Sequence, residues 1–193
     1  MDRQFYAMLS RMKYINRWAL MRNIRPESLC EHTQDLAVLA HGLAVLQNRR
    51  FGGSLDVGKC VLLALYHEAP EILTGDLPTP VKYYNPAIRD AYRHVEDVSA
   101  NKLLSMLPED IRSDYQAFFF PGEDLAEERR IVKAADKLSA LIKCVEEQGQ
   151  GNREFDQARR STEAAVRAMH LPAADCFLEE FLPAFKLTLD EQN

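Results

Sequence analysis

Apolar residues recur every three or four positions along most of the chain, and no stretch keeps the two-residue alternation of a half-buried strand. The pattern predicts a first short helix over Arg3–Tyr14, followed by a loop, NRWALMRNIRPES. A second helix is predicted from about Glu27 to Gln47, where Leu29, His32, Leu36, Leu39, Leu43 and Leu46 define one buried face. His41 falls on the opposite side. Gly52 and Gly53 turn the chain, and Asp56 is placed to cap a third helix from Val57 to about Leu73. TGDLPTP (Thr74–Pro80) reads as a loop because it joins a glycine to two prolines. Further helices are predicted over Pro86–Met106, Pro108–Phe120, Glu123–Gln148, Glu154–Met169 and Ala174–Leu187. GQGN (Gly149–Asn152) breaks the chain, and Pro183 kinks or ends the last helix. The expected architecture is all-α, a single domain over residues 1–193.

Composition sharpens this picture. Nearly half of the 193 residues are hydrophobic, enough for a real core. The formal charge is −5, without the basic excess that holds a nucleic-acid polymer by its phosphates. Cys30, Cys60, Cys144 and Cys176 form no CxxC pair, so a zinc knuckle is not indicated and a reducing compartment is. The N-terminal segment MDRQFYAMLSRMKY has no signal-peptide core, and no apolar run is long enough to span a membrane. A soluble cytoplasmic protein is expected.

One segment departs from a plain amphipathic helix. In LYHEAPEILTGDLPTP (Leu65–Pro80) an apolar run ends in His67, Glu68 and Glu71, with Pro70 between them. Buried acids are costly unless paired or bound to a cation. His32, the pair His67–Glu68 and Asp136 come from three separate predicted helices, each on or beside an inward face. Imidazole and carboxylate together suit Mn²⁺, Fe²⁺, Co²⁺, Ni²⁺ or Zn²⁺. Each residue alone has an ordinary explanation: a hydrogen-bonded core histidine, a surface glutamate, an Asp136 paired with Lys133 or Lys137. Spacing leaves both readings open.

Four blocks go further. NRWALMRN (Asn16–Asn23), SLCEH (Ser28–His32), LYHEAPEILTGDLPTPVKYYN (Leu65–Asn85) and VKAADKLSALIKCVEE (Val132–Glu147) resemble, in order and spacing, the bacterial 5′-deoxynucleotidases of the HD-domain metal-dependent phosphohydrolases. The resemblance implies an HD-domain helical bundle, one divalent transition metal, a homodimer, and hydrolysis of deoxyribonucleoside 5′-monophosphates with broad base tolerance. It implies His32, His67, Glu68 and Asp136 as metal ligands, with Glu68 and Asp136 also beside the substrate. Glu71 becomes the general acid/base, and Arg17 the phosphate-orienting residue, also counted with the catalytic machinery. Trp18 lies against the sugar, where crowding disfavours a 2′-hydroxyl, and Asp76, Leu77, Pro78 and Thr79 border the nucleotide. The chain departs from the family pattern at one place: the family has His-Asp where this sequence has His67-Glu68. That departure keeps two alternatives in view, an HD phosphohydrolase acting on another nucleotide phosphoester and a catalytically weakened nucleotide-binding protein.

Overall fold

Ser28 begins the long helix that organises the molecule, and its side chain shows why the helix starts there. Its hydroxyl accepts the Glu31 backbone N–H while the Glu31 carboxylate accepts the Ser28 N–H, a reciprocal cap that satisfies two otherwise free donors. The structure, a computed structural model, describes residues 3–82 and 84–192. The ends of the expected 1–193 domain, Met1, Asp2 and Asn193, therefore lie outside the description, as does Tyr83.

The chain opens with α1 (Phe5–Leu9) and a 3₁₀ turn over Ser10–Tyr14. It continues through α2 (Leu29–Arg50), α3 (Val57–Tyr66), and two single-turn helices, α4 (Glu71–Thr74) and α5 (Thr79–Lys82). Next come α6 (Pro86–Ser105), α7 (Glu109–Phe119), α8 (Ala126–Gly149), α9 (Asp156–Arg167) and α10 (Pro172–Glu180). Among the described residues no strand forms; an isolated bridge pairs Asn16 with Ser28. No helix among them is long and apolar enough to cross a membrane.

Most helices sit where the periodicity places them, and Asp56 caps α3 through its bond to the Lys59 N–H. The final helix ends at Glu180, and Pro183 then lies in the first turn of a 3₁₀ segment, Leu182–Lys186. The third helix differs from expectation. It stops at Tyr66 rather than Leu73. Pro70 has no N–H to give the Tyr66 carbonyl, so that oxygen takes the Ala69 N–H instead, at 3.2 Å. His67 likewise bonds Ala64, and Glu71 bonds Glu68, one residue short of the α-helical pattern.

Two apolar clusters flank this tightened turn. The larger one joins α2, α3, α8, α9 and α10 through residues such as Leu36, Leu43, Leu138 and Val166, all fully buried. Each such leucine contributes about 2 kcal/mol by leaving water. The smaller cluster gathers Phe5, Leu103, Leu104 and Leu107 around Ala69, with Tyr66 beside Phe118 and Phe119. Ala69 therefore pins the turn from one side while Glu68 faces the other.

Candidate metal centre and cleft

His32 on α2 is fully buried, as its place on the apolar face requires. Its Nδ1 lies 3.0 Å from the Ser139 hydroxyl on α8. Its Nε2 faces two carboxylates, Asp136 Oδ1 at 3.3 Å and Glu68 Oε1 at 3.4 Å. Ligand atoms of His32, Glu68 and Asp136 all fall within 4.8 Å of one another.

The buried Nε2 makes no hydrogen bond with acceptable geometry to either carboxylate. A buried polar atom left without a partner normally costs free energy. One nitrogen between two acids is thus the donor set that a divalent cation would complete, and its mixed character suits the ions from Mn²⁺ to Zn²⁺. Ser139 supports that fit by holding the other ring nitrogen, the usual way a ligand histidine is oriented.

The electrostatics agree. Burial works against a charged His32, yet the facing Asp136 and Glu68 carboxylates outweigh it and lift the imidazole to about 9. Burial also opposes ionisation of Glu68, but His32, His67 and Arg17 hold that carboxyl well below its ordinary range. Asp136 is shifted down in the same way, chiefly through His32 once burial is overcome.

His67 stands at the edge of this group. Successive residues point about 100° apart around a helical turn, so Glu68 points inward while His67 is exposed. Its Nε2 is 3.9 Å from Glu68 Oε1, outside the three-residue cluster.

Glu71 begins α4 and is buried. Its Oε2 has no hydrogen-bond partner, and Lys82 Nζ lies 3.8 Å from Oε1. Burial, reinforced by the charge of Glu68, pushes the Glu71 carboxyl up to about 9. Lys82 is itself held by Glu96 at 2.8 Å and lies over the Tyr92 ring.

Asp136 also lines a cleft of about 620 Å³. Arg17, Trp18, Asp76, Pro78 and Thr79 share that lining, and Ser161 and Thr162 of α9 face it from the far side. Leu77 is half-buried and is not part of the wall. Arg17 Nη2 is 4.0 Å from Asp136 Oδ1 and joins the cleft to the cluster.

Two participants were not legible in the sequence. Glu27, read as the start of a helix, lies before its cap and accepts bonds from both Arg17 and Trp18. No local pattern marks it. Ser139 had a faint signal, a hydroxyl within the apolar stripe of α8, three residues after Asp136.

A helical bundle that gathers a buried histidine and two acids is an all-α fold, and solved structures share it. An HD-domain phosphohydrolase of Listeria innocua superposes with a TM-score of 0.82 at 23% identity, covering 98% of this chain and 91% of its own. An HD phosphohydrolase of cyanophage S-2L, bound to dA and one catalytic Zn²⁺ ion, gives 0.64 at 18% identity, covering 94% and 96%. Sequence comparison is more specific. Residues 4–185 match the 5′-deoxynucleotidase YfbR-like family, and the chain belongs to that family. A 5′-deoxynucleotidase of Vibrio parahaemolyticus is 45% identical over 98% of both chains. One of Pectobacterium atrosepticum is 46% identical, over 97% of this chain and 94% of its own.

Proposed function

We propose that this protein hydrolyses deoxyribonucleoside 5′-monophosphates to deoxyribonucleoside and phosphate, with broad tolerance of the base. The observation that carries this reading is the double membership of Asp136, which belongs both to the metal-capable cluster and to the wall of the cleft beside Arg17 and Trp18. Family membership and relatives named 5′-deoxynucleotidase support it.

His32, Glu68 and Asp136 would hold one divalent transition metal, and His67 would join them from the rim. When bound, such an ion supplies Lewis-acid charge for phosphate and makes water a better nucleophile near neutral pH. Arg17 orients the phosphate with the guanidinium edge that Glu27 leaves free. Phosphoryl transfer needs this kind of positioning more than covalent help. Glu71, protonated at neutral pH, donates its proton to the 5′-oxygen as the P–O bond breaks, and regains one from the attacking water. Trp18, Asp76, Pro78 and Thr79 border the sugar and base. A wall that makes few base-edge contacts would accept several bases.

We read the working form as a cytoplasmic homodimer that binds neither membranes nor nucleic-acid polymers. Four free thiols suit a reducing compartment, the negative net charge disfavours a phosphate polymer, and exposed Val38, Val95 and Val98 offer apolar surface to a second copy.

The test is phosphate release from dAMP and AMP with added Co²⁺ or Mn²⁺. Release from dAMP with little from AMP is expected. Tight binding of metal and nucleotide without release would replace this reading with that of a binding protein.

A further inference from the structure

Glu27 spends both carboxylate oxygens on two neighbouring cleft residues. Oε2 accepts the Trp18 indole N–H at 2.9 Å, and Oε1 accepts Arg17 Nη1 at 3.3 Å. The carboxylate is almost wholly shielded from water, with 11% of its side chain exposed. Bonds to a charged acceptor are roughly twice as strong as neutral ones, and burial strengthens them further.

The backbone repeats the linkage. Arg17 N–H donates to the Glu27 carbonyl at 2.8 Å, and Leu29 N–H donates to Ile15 at the same distance. Residues 15–17 thus run against residues 27–29, with Asn16 bridged to Ser28. Trp18, the next residue, adopts φ +59°, a left-handed conformation uncommon for a bulky side chain. Its carbonyl is held by Met21 N–H and Asn23 Nδ2, and its ring packs on Phe155 at 5.4 Å. A strained backbone persists only where its surroundings over-determine it. Most of those restraints grip the Trp18 backbone or one ring face, whereas Glu27 fixes the indole edge.

From this arrangement we infer that Glu27 is a positioning residue that locks the Trp18 indole and the Arg17 guanidinium into one rigid unit, and thereby sets discrimination between deoxyribose and ribose. The inference rests on the proposed nucleotide reading of the cleft. Arg17 faces the phosphate and Trp18 the sugar. A single carboxylate joining them ties the position of one to that of the other. An indole free to swing on its side-chain torsions would make room for a 2′-hydroxyl; one tied to a buried charge cannot do so without breaking that bond.

The variant Glu27→Gln keeps size but can accept from only one of the two donors. The tryptophan is the only one in the chain, so its fluorescence reports this unit without turnover. Glu27→Gln is expected to red-shift Trp18 emission and to lower the dAMP-to-AMP preference about tenfold, the loss of one charge-assisted bond. Trp18→Phe removes the N–H donor while keeping an aromatic ring. It should lower the preference similarly, and adding Glu27→Gln to it should cost little more. If Glu27→Gln folds poorly, Trp18→Phe alone carries the test, because it removes the N–H donor and leaves Glu27 in place. Glu147→Gln, which loosens the same loop at Ile24 and Arg25 without touching either side chain, should leave the preference unchanged. Wild-type emission and preference in Glu27→Gln, or an equal loss in Glu147→Gln, would overturn the assignment. Should the wild-type protein release no phosphate, the parent reading fails separately, and the same preference is read from dAMP and AMP binding by Trp18 quenching.

Discussion

Glu68 Oε1 lies 3.4 Å from the buried Nε2 of His32, so the glutamate, at a position where the sequence resemblance leads one to expect aspartate, delivers its carboxylate to the cluster. The turn at His67–Pro70 that carries it is tightened, and Ala69 anchors that turn in the smaller core. Glu68→Asp withdraws the carboxylate by about one C–C bond, roughly 1.5 Å. It should weaken Co²⁺ or Mn²⁺ binding by about tenfold or more, on the scale of other disturbances to metal-site partners. Titration calorimetry measures this. A variant that binds metal more tightly and turns over faster would show that the wild-type turn is not adapted to glutamate.

Metal binding should also appear as stability. An ion that binds only the folded chain adds about 2.7 kcal/mol at a hundred times its dissociation constant. Thermal unfolding should therefore move up on adding Co²⁺ or Mn²⁺ and back down with chelator. Asp136→Asn, which alters the most exposed of the three cluster residues, should abolish most of that shift.

Glu71 carries the sharpest kinetic expectation. Glu71→Gln keeps the shape of a protonated carboxyl but cannot give up a proton, and phosphate release from dAMP should fall about 10²–10⁴-fold while dAMP affinity changes little. The folded carboxyl is raised to about 9, so the protonated form that serves as acid persists through neutral pH and is lost as pH rises through that value. A cation on Glu68 offsets part of that rise, so the pH–rate profile should fall on its alkaline side above the ordinary carboxylate range but below that value. An unchanged rate in the variant would remove Glu71 from the mechanism.

The loop that carries Arg17 and Trp18 is held from α8 by Glu147, which is fully buried. It accepts from the Ile24 and Arg25 backbone, from Asn152 and from Lys143. Burial alone would raise this carboxyl; the bond from Lys143, then those from Ile24, Asn152 and Arg25, hold it at about 2 instead. The folded value is below the unfolded 4.5, so the stabilisation is present above pH 4.5 and disappears as pH falls toward 2. It amounts to on the order of 3 kcal/mol. Glu147→Gln strands the Lys143 charge and should cost a similar amount at neutral pH, seen as a lower urea midpoint whose remaining acid sensitivity is smaller.

The sequence by itself determined the helices and their inward faces. The three- and four-residue spacing put His32 among leucines, and the acid run at His67–Glu71 and Asp136 marked the residue types that gather at the centre. Such patterns are legible because helical period and capping act over a few residues. The break at Tyr66 was only partly readable: Pro70 has no N–H for the Tyr66 carbonyl, but the consequence, Glu68 inward and His67 outward, depends on how the turn packs against Ala69 and its neighbours. Tertiary structure alone decided that His32 Nε2 meets two carboxylates from α8 and the turn after α3, that Ser139 holds the other nitrogen, and that Glu27 grips Arg17 and Trp18 together. Most of these contacts join residues far apart in the chain, and all require side chains aimed from separately packed segments. Their geometry is set by how buried faces interlock, which no local period encodes.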